Sequence, residues 1–221
     1  MSVIREHDIL RQLAAGCACI PHVTTQVERK PERLQALLAA VTSDAARVKF
    51  GAIKALRMVS ERAPDLIYPH FDFFASLLRN ENSILRWNAI LILGNLAPVD
   101  GERRTDRIID DYLAPISGPH LIDAGNTMRG AAAIAAAKPY LGDTIAGYIL
   151  NVERATYDTP ECRNVAIGHA INVLDRLFPM VADQRAIQLF VSRQRNNSRA
   201  ATRKKAERFL RKWPLPHQAQ A

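Results

Sequence analysis

The sequence predicts an all-α fold of repeated helical hairpins, and three observations predict it. One helix-like segment recurs with a basic residue, an alanine three on and a leucine or alanine four further: Lys49/Ala52/Leu56, Arg86/Ala89/Leu93, Arg129/Ala132/Ala136, Arg163/Ala166/Ala170 and Arg203/Ala206/Leu210. The steps between the alanines are 37, 43, 34 and 40 residues, a spacing that suits stacked helical units. A proline follows each copy (Pro64, Pro98, Pro139, Pro179 and Pro214). Proline lacks an N–H and clashes with the preceding turn, so it ends a helix.

The elements follow in order. Residues 3–14 place charges within an apolar pattern, which excludes a signal peptide and predicts an N-terminal cap helix. Five hairpins follow at about 30–62, 64–97, 104–138, 141–178 and 181–213, in one domain of residues 1–213, with a tail at 214–221. The first helix of each hairpin carries an apolar stripe. It is fullest at Leu34/Leu37/Leu38/Val41 and Ile145/Tyr148/Ile149/Val152, where the i, i+3, i+4, i+7 spacing buries one face. Shorter versions are Phe71/Phe74/Leu78, Ile108/Ile109/Tyr112/Leu113 and Ile187/Phe190/Val191. The connecting stretches "TSD", "NEN", "SGPH", "YDTP" and "RNNS" supply side-chain oxygens that cap the following helix. No period-2 strand pattern stands out. One hairpin cannot bury its own faces, so stacking neighbours explains why the same helix is written repeatedly.

Composition narrows the function classes. The 221 residues are 48% hydrophobic and 24% charged, which is ordinary for a folded globular chain. The apolar runs "AILILGNLA" and "GAAAIAAA" fall far short of the roughly 20 residues that span a bilayer, so no membrane partner and a cytoplasmic location are expected. Cys17, Cys19 and Cys162 are an odd set without framework spacing, which fits a reducing compartment. The net charge of +8 is localised: residues 193–212 hold nine Lys or Arg and one acid, Glu207.

The second helices resemble those of HEAT repeats, of the HEAT/armadillo superfamily, over roughly residues 30–213. The match lies in the early basic residue, the small residue three on, the Leu or Ala four further and the proline break. Copy 3 departs most, since "MRGAAAIAAAKPY" replaces bulky residues with Ala and Gly behind the linker "PVDGERRTD". The resemblance implies a right-handed α-α superhelix whose second helices line a concave, partner-binding surface. It also implies a structural role for Lys49, Arg86, Arg129, Arg163 and Arg203, bridging to acids or carbonyls of neighbouring turns.

Taking the five alanines as inward markers, a turn of 100° per residue assigns the outward columns. Two residues before the markers the column is Phe50, Trp87, Gly130, Asn164 and Lys204; two after, it is Lys54, Leu91, Ile134, Gly168 and Arg208; five after, it is Arg57, Gly94, Ala137, Ile171 and Arg211. The expected partner-binding residues are therefore Phe50, Lys54, Arg57, Ile84, Trp87 and Leu91 at one end and Lys204, Arg208 and Arg211 at the other. Trp and Arg are enriched at binding hot spots, so an acidic or amphipathic protein segment is the expected partner. The competing structural reading packs Phe50 and Trp87 sideways onto adjacent helices.

The basic patch Arg199, Arg203, Lys204, Lys205, Arg208, Arg211 and Lys212 carries two readings. A terminal repeat needs a polar outer face, so a solvated cap accounts for it. Clustered cations also suit phosphates, which keeps nucleic acid as the alternative partner. The architectural precedent for that alternative is the HEAT-like DNA glycosylases of alkylated bases, whose acid would be sought here in Glu61 or Asp175. No catalytic residues, cofactor or metal site are expected. Cys17, Cys19 and His22 make half of a zinc set at most, Asp110 and Asp111 point about 100° apart on a helix, and His169 suits a packed position. The expected function is a non-enzymatic scaffold or adaptor.

Overall fold

In the computed structural model, residues 3–15 (side chains from Ile9) and 20–215 are described, and every regular element among them is helical. Cys17 and Cys19 and the tail from residue 216 lie outside the described residues. The α-helices are α1 (Val3–Ala15), α2 (Ile20–Arg29), α3 (Leu34–Ala40), α4 (Ala46–Arg62), α5 (Pro64–Ile67), α6 (Phe71–Ser76), α7 (Ser83–Leu96), α8 (Arg104–Leu113), α9 (Leu121–Ala137), α10 (Gly142–Leu150), α11 (Pro160–Leu177), α12 (Gln184–Arg193) and α13 (Ala200–Lys212). Prolines Pro64, Pro98, Pro139 and Pro179 open or sit within the short turns behind α4, α7, α9 and α11.

The chain divides into two units, Met1–Ile108 and Ile109–Ala221, with the boundary inside α8. In the first unit α2 packs on α4 and α4 on α7, while α1, α3, α5 and α6 flank them. Its core is Ile9, Leu13, Val23, Leu37, Ile53, Leu56, Phe71, Phe74 and Ile90. In the second unit α9 packs on α11 and α11 on α13, with α10 and α12 alongside, around Met128, Ile134, Ile145, Ile149, Leu174, Phe190 and Phe209. Neighbouring second helices are thus in contact within each unit, as stacked hairpins require.

One helix was not anticipated. Helix α2 buries Ile20, Val23, Thr24 and Val27, a full i, i+3, i+4, i+7 stripe with threonine in an apolar slot. Thr24 Oγ1 donates to the Ile20 carbonyl at 2.9 Å, so the hydroxyl enters the core satisfied. With α1, α2 makes a hairpin ahead of the five expected.

The bends use the capping chemistry the connectors offer. Asn82 Oδ1 accepts from Ile84 N and Leu85 N, Thr159 Oγ1 from Cys162 N, and Asp183 Oδ1 from Ala186 N. One bend recurs closely. Asn80 Oδ1 accepts from Asn82 N at 2.9 Å while Arg86 Nη1 donates to the carbonyls of Asn80 and Glu81. Asn197 Oδ1 accepts from Arg199 N at 2.9 Å while Arg203 Nη1 donates to the carbonyls of Asn197 and Ser198. An Arg six residues after an Asn closes both bends onto the helix that follows.

Candidate functional surface

Burial fixes the true register of the second helices. The inward stripe is Ala52/Ala55/Leu56/Val59 in α4 and Ala89/Ile92/Leu93/Leu96 in α7, as the markers require. In α9 the stripe is Ala131/Ile134/Ala135, with Ala132 half-buried and Ala136 exposed. In α11 the buried residues are the marker alanines Ala166 and Ala170 together with Ile167, Ile171 and Leu174. The expected markers of copy 3 are therefore one residue off, whereas in copy 4 the markers are buried as expected and only the columns drawn from them turn, since Gly168 and Ile171 are buried. Arg129 and Arg163 are exposed, and the ladder position in those helices holds Met128 and Asn164 instead. Asn164 keeps a ladder-like role: its amide donates to Ser198 Oγ at 2.8 Å and its carbonyl accepts from Thr202 Oγ1 at 2.9 Å.

In the first unit, Lys54 is exposed, whereas Phe50, Arg57, Ile84 and Trp87 are half-buried. Arg57 Nε lies 3.7 Å from Glu61 Oε1, so this acid faces a cation on its own helix. Leu91 is a correction: it is only 9% exposed and belongs to the core. Helix α7 buries every residue from Asn88 through Gly94, so no outward stripe is left at Leu91. Gly94, Gly130, Ile134, Gly168 and Ile171, also placed outward by the columns, are buried too.

In the second unit, Lys204, Arg208, Arg211 and Lys212 are exposed and Arg199, Arg203 and Lys205 half-buried. Much of this patch is engaged with α11. Arg199 pairs with Glu161, Lys212 Nζ reaches Asp175 at 3.0 Å, and Arg208 Nη2 donates to Asn172 Oδ1 at 3.3 Å. Asp175 also accepts from the Trp213 indole N–H at 2.7 Å. Lys205 is a further correction, since it does not face away. It lies back on α11, where its Nζ donates to the Gly168 carbonyl at 2.8 Å. A Cβ at Gly168 would stand 3.1 Å from Thr202 Oγ1 and 3.2 Å from Lys205 Nζ, so the glycine makes room for this contact. Burial, then repulsion from Arg208 and Arg199, pushes the Lys205 amine below its ordinary value.

With the register corrected, the outer columns of the second unit are Arg129, Ala133 and Ala136 on α9. They continue as Val165, His169, Asn172 and Arg176 on α11, and as Lys204, Arg208 and Arg211 on α13. Each is exposed or half-buried, and no carboxylate stands in these columns. The sequence columns missed Arg129, His169 and Arg176 because the α9 markers were one residue out and the buried stripe of α11 extends past Ala166 to Ile167 and Ile171. Among the described residues no cluster of three or more His, Cys, Asp or Glu could hold a metal, and no helix is long and apolar enough to cross a membrane.

The class of protein these features define is an all-α helical-repeat protein. No protein-family model matches the chain, and no curated protein matches its sequence. Among solved structures it is similar to the crystal structure of an engineered protein, a Northeast Structural Genomics Consortium target, with a TM-score of 0.57 and 16% identity over 96% of this chain and 90% of that one. A second engineered protein from the same consortium gives a TM-score of 0.56 and 16% identity over 95% of this chain and 54% of that one. Likeness at this identity shows the fold alone.

Proposed function

We propose that the chain is a non-enzymatic, HEAT-like binding protein whose second unit takes an acidic, amphipathic protein segment on the outer face of α9, α11 and α13. The HEAT reading is supported by the repeated bend in which Arg86 and Arg203 close onto carbonyls six and five residues earlier. The binding reading is carried by one observation. Arg129, Arg176, Lys204, Arg208 and Arg211 share exposed columns that hold no acid; of the acids at their edge, Glu161 and Asp175 are already paired and Glu207 is exposed beside Arg211.

Between the charges lie Ala133, Ala136 and half-buried Val165, a small apolar floor that fits the hydrophobic stripe of a docked helix or extended segment. These columns carry no Phe, Tyr or Trp, and large stacking aromatics are what single-stranded nucleic-acid sites add to their cations. That favours protein over nucleic acid.

The test is fluorescence anisotropy of a labelled Glu-rich amphipathic peptide, with single-stranded and duplex oligonucleotides as competitors at physiological salt. Binding that Lys204→Ala with Arg211→Ala weakens, and that oligonucleotides fail to displace, supports the reading. An oligonucleotide that binds more tightly than the peptide at physiological salt overturns it.

A further inference from the structure

Two cations and one histidine of the second unit border the same stretch of α11. Lys205 Nζ is fixed at 2.8 Å on the Gly168 carbonyl. His169 is the next residue along α11. Arg208, one turn beyond Lys205 on α13, is held by Asn172, one turn beyond Gly168 on α11, at 3.3 Å. The imidazole runs along α9 at Gly125, where a Cβ would stand 3.9 Å from His169 Cδ2 and 4.0 Å from Nε2.

These anchors occupy few of the available donors. Lysine has three N–H groups and arginine five, and one of each is used in the bonds above. We propose that His169, Lys205 and Arg208 form one oxyanion-holding subsite, with His169 the member whose protonation switches it on. The proposal rests on the acidic-partner reading and names where one partner carboxylate, or an equivalent phosphate, sits.

The charged groups on the helices packed around His169 are mostly cations. From α13 they are Lys205 and Arg208. From α9 the facing position is Gly125, with exposed Arg129 one turn on; Asp123, the acid nearest in that sequence, is buried. Helix α11 itself adds Arg176, the half-buried Cys162 thiol and two acids already engaged, Asp175 by Lys212 and Trp213 and Glu161 by Arg199. Packing around the ring, then the charge of Lys205, holds the His169 imidazole below its usual value. An anion placed among these groups opposes that repulsion. By linkage, it must then raise the proton affinity of His169 by the amount that the proton raises its own affinity.

The experiment follows the His169 imidazole by NMR across pH 5–8 in the full chain, with inorganic phosphate and with the Glu-rich peptide. The resonance is assigned by its loss in His169→Gln, whose fold is checked by circular dichroism. The proposal expects both anions to move the midpoint upward. It also expects peptide affinity to rise about fivefold to tenfold from pH 8 to pH 6, the scale of one added charge-assisted contact, and His169→Gln to abolish that rise. A peptide that binds equally at both pH values with an unmoved His169 overturns the subsite and leaves the acidic-partner reading standing. Phosphate that moves His169 while the peptide binds nowhere supports the subsite and removes that reading. No movement with either anion overturns the proposal.

Discussion

Gly118 sits in the bend between α8 and α9 at φ +92°, and a Cβ there would lie 1.9 Å from the Thr156 carbonyl oxygen. Only glycine meets both demands, since L side chains avoid positive φ and a backbone carbonyl cannot step aside. Beside it the Tyr157 hydroxyl donates to the Ile116 carbonyl at 2.6 Å, and burial pushes that phenol up to about 12. Gly118→Ala should therefore cost about 2 kcal/mol or more, read as a lower urea midpoint at unchanged slope. Asp100 does comparable work ahead of α8. It accepts from Tyr68 Oη at 2.7 Å, Arg104 N at 2.8 Å and Thr105 N at 2.9 Å. Burial alone would raise its carboxyl, but the bonds from Thr105, Tyr68 and Arg104 outweigh burial and hold it well below the usual carboxylate range. The folded state thus favours the ionised form. Its contribution is complete above the unfolded carboxylate value near pH 4 and is lost as the pH falls below it. Asp100→Asn should lose about 1 kcal/mol at neutral pH, the scale of a helix cap, and flatten the acid limb of a stability-versus-pH curve measured by chemical unfolding.

At the scale of the element, α13 shows how a binding helix is held. The Trp213 ring packs on Phe178 with centroids 4.6 Å apart and its indole N–H bonds to Asp175; Lys212 Nζ lies 4.9 Å over the same ring. Trp213→Ala should cost about 2–3 kcal/mol, below the range for a fully buried tryptophan. It should also loosen the C-terminal turn, seen as faster amide exchange from Phe209 onward. Acidic-peptide affinity should fall with it although Trp213 touches no partner. Elements of this kind were legible in the sequence because each pairs an apolar stripe with a proline stop. Register was less legible. In "RGAAAIAAAK" every position near the marker is alanine, so one basic residue fits two registers equally well, and burial chose Ala131 over Ala132. The partly polar stripe of α2 hid a helix because Thr24 lacks an apolar signature until its bond to Ile20 is known. Leu91 was misplaced for the opposite reason: α7 is so uniformly apolar that an angular column cannot tell its core from its rim.

For the whole molecule, the charge excess and the stack oppose one another. The chain carries +8, and burial first, then the charges of Arg208 and Arg199, hold the Lys205 amine below its ordinary value. Net charge of one sign destabilises a compact state by self-repulsion, so nothing in the packing requires Lys204 or Arg211 to be basic. A fold selected only for stability would gain from neutral side chains there. Stability and binding should then respond to salt with opposite signs. Raising sodium chloride from 10 to 150 mM shortens the screening length from about 30 Å to about 8 Å. The thermal midpoint should rise over that range while acidic-peptide affinity falls. Lys204→Ala with Arg211→Ala should reproduce both effects at low salt, raising the midpoint and weakening the peptide, and should reduce the salt dependence of each. Scanning fluorimetry and anisotropy on the same samples check the pair of signs. If the double variant instead lowers the midpoint and leaves the peptide unaffected, these residues serve the stack, and the basic face is only its solvated end.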